Sequence, residues 1–352
     1  MKNILAIALI SLTLVSCKKE TKTITKVDPK TGKTITVEVP VKDSTNTTEE
    51  KTENLAIKDS AGIFKHSFNL EIGKTYPLVT YQRDLQEITD PTGKKVSGTS
   101  EATDEMSFTV NDFKNNIYDI TINLIGKRNS QSANGKTTVI DTKQAIPQED
   151  QLKMMWTINK ALTGNKLNMK MDKSGKVISI TGFDPIYKKI NLATTSIIKD
   201  AKQRAEFLAN FKQNFDEKVL KEQFSKNLSF FPSKGVKIGG KWTVAENASP
   251  DGKVKLTTTY TLKSVGNGIA EISVNGGIPI KSDKKTQDGV THTMSSQLAQ
   301  NGTIKFDQYS GWIKNQNISV KTTQKEGISD GKKSQTMTST STSSVMINPS
   351  NK

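Results

Sequence analysis

The sequence predicts an α+β fold dominated by antiparallel strands. Two repeated β-units would form an open, half-barrel-like sheet that carries a helical insert. Three observations point there. Apolar residues make up only 33% of 352, and aromatics 6%; so sparse a core suits sheets with one wet face. Period-two alternation around Asn-Gly-type turns recurs along the chain. Three blocks also recur in the same order, the mark of two copies of one β-unit.

The first element is not part of the fold. Lys2 gives a positive start, and Ile4 to Val15 is almost wholly apolar. That run has the length of a signal-peptide core and is too short for a permanent transmembrane helix. Residues 1–16 are therefore read as a signal peptide. Residues 17–61 read as a flexible tether. Within it, Lys22-Thr23-Ile24-Thr25 recurs as Lys33-Thr34-Ile35-Thr36 around Asp28-Pro29-Lys30-Thr31-Gly32, which predicts a short hairpin. Asp43 to Lys58 is polar and charged and predicts disorder.

Residues 62–183 and 231–352 are the two β repeats. Ile72-Gly73-Lys74-Thr75-Tyr76 corresponds to Ile238-Gly239-Gly240-Lys241-Trp242. Ser107–Leu124 aligns without a gap to Thr259–Gly276. Met169-Lys170-Met171-Asp172 corresponds to Ile304-Lys305-Phe306-Asp307. The gapless block predicts a hairpin turning at Asn115-Asn116 in one copy and Asn267-Gly268 in the other. Tyr118/Ala270, Ile120/Ile272 and Ile122/Val274 share the apolar parity, while Asp119/Glu271 face water. Residues 184–230 form the helical insert. Ala201, Ala205, Leu208, Phe211 and Phe215 recur at helical spacing, Asp216 is a candidate N-cap, and Pro232 is a stop. A shorter helix is expected over 149–162.

The only cysteine, Cys17, closes Leu14-Val15-Ser16-Cys17. This string resembles the lipobox of bacterial lipoproteins. The resemblance implies cleavage before Cys17 and acylation of Cys17, the membrane anchor; stable anchoring takes more than one acyl chain. No thiol would then remain for disulfides, metal sites or nucleophilic catalysis. Lys18-Lys19-Glu20 lacks an acidic surface-export run, so the expected location is the Gram-negative envelope, at the outer membrane facing the periplasm. Asp43-Ser44-Thr45 and Asp59-Ser60-Ala61 resemble a short O-glycosylation signal.

The formal net charge is +16, but Arg83, Arg128 and Arg204 are the only arginines. Nucleic-acid sites favour arginine forks, so scattered lysines argue for a solvated surface and against a nucleic-acid partner. A basic surface also favours anionic headgroups. His66 and His292 are 226 positions apart, and neither sits in a metal-binding helix motif. No metal, no cofactor and no catalytic residue is expected. Asp172 and Asp307 read as turn residues. Met154, Met155, Met169 and Met171 cluster near Trp156; Met adapts to variable apolar surfaces. A packed core is the competing reading of that cluster.

Phe231-Pro232 followed by Val236-Lys237-Ile238-Gly239-Gly240-Lys241-Trp242 is similar to a family of bacterial envelope lipoproteins of unknown function. So are Lys176–Gly182 and Asp307–Ile313. The resemblance runs from Phe64 to the C-terminus and implies no catalytic residues. At the level of architecture, long antiparallel strands with a few helices resemble the half-open barrels of lipid carriers. The leading functional expectation is a non-catalytic envelope protein binding a lipid or other apolar ligand. Candidate ligand-binding residues are Met169, Met171, Ile304, Phe306, Ile120, Ile272, Phe211 and Phe215. The second reading is a structural component docking another envelope protein, and the third a hydrolase of envelope polymers.

Overall fold

The structure, a computed structural model, describes residues 21–27, 34–40, 55–228, 231–249 and 252–349. The signal segment, Cys17, the turn at 28–33 and the polar run at 43–54 lie outside the described residues. Two units separate, Met1–Glu53 and Asn54–Lys352. In the first, β1 (Thr21–Val27) pairs antiparallel with β2 (Thr34–Pro40), Ile24 opposite Val37. These are the strands expected from the recurring Lys-Thr-Ile-Thr.

The second unit begins before residue 62. β3 (Ile57–Ser60) and β4 (Ile63–His66) form a hairpin, and Ala56 and Ile57 are buried. The reading of residues 55–61 as tether is thereby corrected. Lys58, Asp59 and Ser60 made the segment look solvated, but they point outward. The backbone of Ala56 and Ile57 donates to the Gln308 carbonyl at 3.0 and 3.1 Å, which ties the segment down.

The rest of this unit is built on one antiparallel sheet of twelve strands. In chain order they are β5 (Thr75–Thr89), β6 (Lys95–Lys114), β7 (Ile117–Ala133), β8 (Lys136–Asp141), β9 (Lys166–Asp172) and β10 (Val177–Thr181). After the helices come β11 (Lys241–Asn247), β12 (Lys255–Gly266), β13 (Ile269–Gln287), β14 (Val290–Asp307), β15 (Ile313–Ser329) and β16 (Ser334–Ile347). The spatial order is β10-β9-β7-β6-β5-β16-β15-β14-β13-β12-β11, with β8 continuing beside β7. β10 and β11 stand at opposite ends of this order, so the sheet is open.

The aligned blocks occupy matching registers. Tyr76 faces Phe108 as Trp242 faces Tyr260. Val110 faces Ile120 as Leu262 faces Ile272. Both hairpins carry a bulge at the same aligned place, after Val110 and after Leu262. Ile120 faces Met169 as Ile272 faces Ile304, and Val177 faces Met171 as Ile313 faces Phe306. Asn115, Asn116, Asn267 and Gly268 all have positive φ, between 51° and 76°. That is the two-residue turn whose twist suits a hairpin. Five strands of one repeat, β5, β6, β7, β9 and β10, thus match β11 to β15 of the other, and β8 is an additional strand beside β7. β16 has no counterpart in the first repeat; it lies between the two repeats, pairing β15 on one side and β5 on the other.

A gap along β5 is closed by side chains. β16 pairs with β5 only as far as Thr80, which leaves the backbone at 77–79 without a strand partner on that side. Pro77 has no N–H to leave unpaired there. Its carbonyl accepts from Trp312 Nε1 at 2.8 Å and Asn348 Nδ2 at 3.2 Å. Val79 N donates to Asn348 Oδ1 at 2.9 Å. The Trp312 ring then packs 5.3 Å from Tyr76 and 5.2 Å from Phe108, so a residue of the second β repeat completes the core of the first repeat.

Four helices accompany the sheet. α1 (Asp150–Leu162) follows β8, and α2 (Phe183–Thr195), α3 (Ala201–Asn214) and α4 (Glu217–Leu228) follow β10. The insert is thus three helices. Asp200 and Asp216 cap the last two, accepting from Gln203 N and Val219 N at 2.8 Å. α4 turns Leu220, Phe224 and Leu228 into the core, each worth about 1.5–3 kcal/mol if fully buried. Phe224 meets Phe108 edge-on, with centroids 5.4 Å apart.

His66 sits at the end of β4 inside an aromatic cage. Phe68, Phe231 and Phe306 lie 4.6, 5.3 and 5.7 Å from its ring. Nε2 lies 2.9 Å from the Gly311 carbonyl and donates to it. Its pKa is pushed below the ordinary value by burial, partly offset by that carbonyl. The folded state thus prefers neutral His66, while the unfolded chain protonates near the usual value of about 6.5. Stability should be unaffected by this residue well above that pH and fall as the pH drops below it. Urea unfolding at about pH 7.5 and about pH 5.5 should show the loss, and His66→Gln should flatten it. An equal pH slope in both proteins would refute this assignment.

Candidate functional site

The clearest opening beside the core arises where the two β repeats differ. In the second repeat β14 pairs with β13 along nearly its whole length, from Ile269 opposite Asp307 to Gln287 opposite Val290. In the first repeat the neighbour of β7 is broken. β9 pairs with residues 117–123 and β8 with residues 128–133, and α1 lies between them in the chain. The residues at the break are held by bonds to loop residues, the Leu124 carbonyl accepting from Gly164 N at 2.7 Å and the Lys127 carbonyl from Thr142 N at 3.0 Å. Leu124 N donates to the Asn165 carbonyl at 3.0 Å, and Lys127 N to Thr142 Oγ1 at 2.9 Å. β7 also bulges at Ile125, between the pairs Met106–Leu124 and Glu105–Gly126. A bulge bends its strand, and the two features together leave room.

The resulting cavity has a volume of about 280 Å³. Its floor is Met106, Ile122, Leu124 and Leu167 from the sheet. Leu162 at the end of α1, Phe215 after α3, and Val219, Leu220 and Phe224 of α4 complete the apolar wall. The rest of the lining is polar. It includes Thr80, Asp104 and Lys127, and Lys127 Nζ pairs with Asp104 Oδ1 at 2.6 Å. Glu105, next on the strand, pairs instead with Lys143 at 2.7 Å. Asn159, Asn214 and Gln223 add amides to the lining. A mostly apolar pocket whose lining includes a charged pair suits a ligand with a greasy body and a polar tip.

Of the eight candidate residues read from the sequence, Phe215 alone lines this cavity. Ile120, Ile272, Met169, Met171, Ile304 and Phe306 are at most 1% exposed and belong to one packed core. Phe211 is partly buried against that core. The four methionines separate: Met169 and Met171 are buried in β9, whereas Met155 on α1 is 45% exposed. Reasoning from parity missed Met106, Leu124 and Val219. The apolar stripe Leu220-Phe224-Leu228 was the sequence signal nearest the site, because it marks where α4 docks.

The other titratable residues singled out lie elsewhere. Asp172 Oδ1 accepts from Ser174 N at 2.8 Å and Lys176 N at 3.1 Å, and Asp307 Oδ1 from Ser310 N at 2.7 Å; both hold turns. Asp119 accepts from Asn111 and Glu271 pairs with Lys305, both on the face opposite the core. Among the described residues no cluster of His, Cys, Asp and Glu is placed to hold a metal ion. No described helix is long and apolar enough to cross a membrane.

A family profile described as "Family of unknown function (DUF6263)" matches residues 115–313. These run from the first hairpin turn through the helices to the start of β15. No curated protein matches the sequence. Among solved structures, lipovitellin, studied for its lipid–protein interactions, has a TM-score of 0.33 at 10% identity. The match covers 80% of this chain and 26% of that one, so the chain spans about a quarter of it. An outer membrane channel from Pseudomonas putida F1 gives 0.17 at 9% identity, covering 80% of this chain and 97% of the channel. OccK5 (OpdH) of Pseudomonas aeruginosa gives 0.17 at 7%, covering 78% and 98%.

Proposed function

We propose that this chain, which belongs to the DUF6263 family of unknown function, is a non-catalytic envelope protein that holds a small lipid or other amphipathic ligand. The cavity between the sheet and α4 carries this reading. Its volume of about 280 Å³ lies just below the range for drug-sized ligand sites, roughly 300–1,000 Å³, so the ligand is small. Its walls are largely apolar and include the Lys127–Asp104 pair, which offers a partner to the polar tip of such a ligand.

A binding role fits the chemistry of the lining better than hydrolysis does. Asp104 and Glu105 are consecutive on β6, so their carboxylates leave opposite faces of the strand and do not face one bond together. Each is also neutralised by its own lysine. The anchor is proposed from sequence: acylation at Cys17 in the Leu-Val-Ser-Cys string would hold the protein at the outer membrane of a Gram-negative envelope, facing the periplasm.

Native mass spectrometry of protein purified from its own membranes tests both parts. The wild type should carry a non-covalent apolar adduct, and Leu220→Trp, which fills the cavity, should lose it without lowering the thermal midpoint. Cys17→Ser should move the protein to the soluble fraction and remove the acyl mass. An adduct unaffected by Leu220→Trp, or no adduct at all, would refute the cavity reading. Unchanged membrane association of Cys17→Ser would refute the anchor.

A further inference from the structure

The cavity beside α4, taken as the ligand site proposed above, also selects the class of its ligand through charge, hydrogen bonding and size. Asp104, Glu105 and Lys127 are the charged side chains of the lining, so carboxylates outnumber ammonium groups there. All three are already paired. Lys127 Nζ lies 2.6 Å from Asp104 Oδ1, and Lys143 Nζ lies 2.7 Å from both oxygens of Glu105. An anionic head brought to Lys127 would also meet Asp104, and like charges in contact at a partly buried site repel strongly. A cationic head would find both carboxylates held by lysines. A head without net charge meets neither penalty.

Hydrogen bonding narrows the choice among uncharged heads. Thr163 in the lining spends its only donor on the Lys160 carbonyl, at 2.9 Å. Asn214 and Asn159, also in the lining, each spend one N–H, on the Asn210 carbonyl at 2.7 Å and on Asn129 Oδ1 at 3.3 Å. What these residues keep is mainly acceptor oxygen, and the carboxylates add more of it. A carboxylate or phosphate head only accepts, whereas a hydroxyl donates as well. The lining therefore suits a head that carries hydroxyls.

Size limits the tail. An apolar cavity of about 150 Å³ takes one benzene ring. A volume of about 280 Å³ holds roughly twice as many carbons, about a dozen. One acyl chain of medium length fills that space, and the paired chains of a membrane phospholipid exceed it. We infer that the ligand is a single-chain amphiphile with an uncharged, hydroxyl-bearing head, of the monoacylglycerol class. Its chain lies on Met106, Ile122, Leu124 and Leu167, and its hydroxyls meet the Lys127–Asp104 pair. This assignment rests on the cavity being the ligand site and is independent of the Cys17 anchor.

The test uses the mature chain, residues 17–352, carrying Cys17→Ser so that no acyl anchor contributes, and stripped of bound lipid. It is titrated at about pH 8, where a free carboxylic acid is ionised, and adducts are followed by native mass spectrometry. The probes are 1-dodecanoylglycerol, dodecanoate, and didodecanoyl phosphatidylcholine added as vesicles. The glyceride should bind at least about tenfold tighter than dodecanoate, and the phosphatidylcholine should leave no adduct. Asp104→Asn removes the competing carboxylate from Lys127 and should shift the preference toward dodecanoate by about tenfold. Should that variant fold poorly, the wild-type ratio decides alone. Equal or tighter binding of dodecanoate, an adduct with phosphatidylcholine, or an unchanged preference in folded Asp104→Asn would each overturn the inference and leave the cavity as a site of other specificity. No adduct with any probe, or a glyceride adduct that survives Leu220→Trp, would overturn the cavity reading and this inference with it.

Discussion

Phe306→Ala is expected to cost about 3–5 kcal/mol of stability and to leave ligand occupancy of the folded fraction unchanged. Phe306 is 1% exposed. Its ring packs edge-on to Phe231 with centroids 5.8 Å apart and lies 5.7 Å from His66. Neighbours on β13 and β15, Ala270 and Ile313, are pinned by the sheet register, so the void cannot readily collapse. That places the variant at the high end of the range. Phe306 does not border the cavity, so an adduct seen by native mass spectrometry should persist. The measurement is paired: urea denaturation for stability and adduct occupancy for binding. A loss below about 1 kcal/mol together with a lost adduct would make Phe306 a ligand contact after all.

That pairing bears on what the sequence carried. Alternation of Tyr118, Ile120 and Ile122 against Asp119 and Thr121 identifies which face of a strand is apolar, because the strand period is two. It is silent on whether the apolar face is covered by a helix, packed against the other unit or left as a void. Hence the aligned pairs Ile120/Ile272 and Met169/Ile304 were legible as equivalents, and their registers agree. Their place in a packed core was not legible. The cavity depends on a broken neighbour strand, a bulge at Ile125 and the docking of α4. Each comes from a different part of the chain, and their volumes combine only in three dimensions.

Local chemistry was the most readable. Asn267-Gly268 announced a turn that needs positive φ, and Asp216 announced a cap that its bond to Val219 N confirms. The place of β16 was hidden for the opposite reason. Its Ser- and Thr-rich sequence has little alternation, since both of its faces are half exposed, and pairing with β5 joins residues some 250 positions apart. No local pattern encodes such a pairing.

Gly302→Val should be strongly destabilising although valine is a better strand residue than glycine. Two effects compete. Relative to alanine, glycine in a strand costs roughly 0.5–1 kcal/mol in chain entropy, and valine adds a strand preference on a scale spanning about 1 kcal/mol. Both favour the substitution. Against them stands space. A Cβ at Gly302 would lie 2.2 Å from the Asn317 carbonyl oxygen and 2.7 Å from Ile318 Cα. Both are backbone atoms of β15 in an unbroken ladder, Gly302 opposite Ile318, so neither can rotate aside. Overpacking of a well-ordered interior typically costs 1–3 kcal/mol and more when backbone must move, which outweighs the gain. The aligned residue of the first β repeat, Leu167, is fully buried, so the repeat itself tolerates a large side chain and the local approach of β15 is what forbids one. Gly98 is the control. On β6 its Cβ would find its nearest atom, the Ser132 carbonyl oxygen, at 3.6 Å, ordinary contact, so Gly98→Ala should be neutral or stabilising by a few tenths of a kcal/mol. Urea midpoints of the two variants should move in opposite directions, or the second not at all. Equal midpoints for Gly302→Val and the wild type would show that β14 and β15 separate easily, and that the sheet is softer than its register implies.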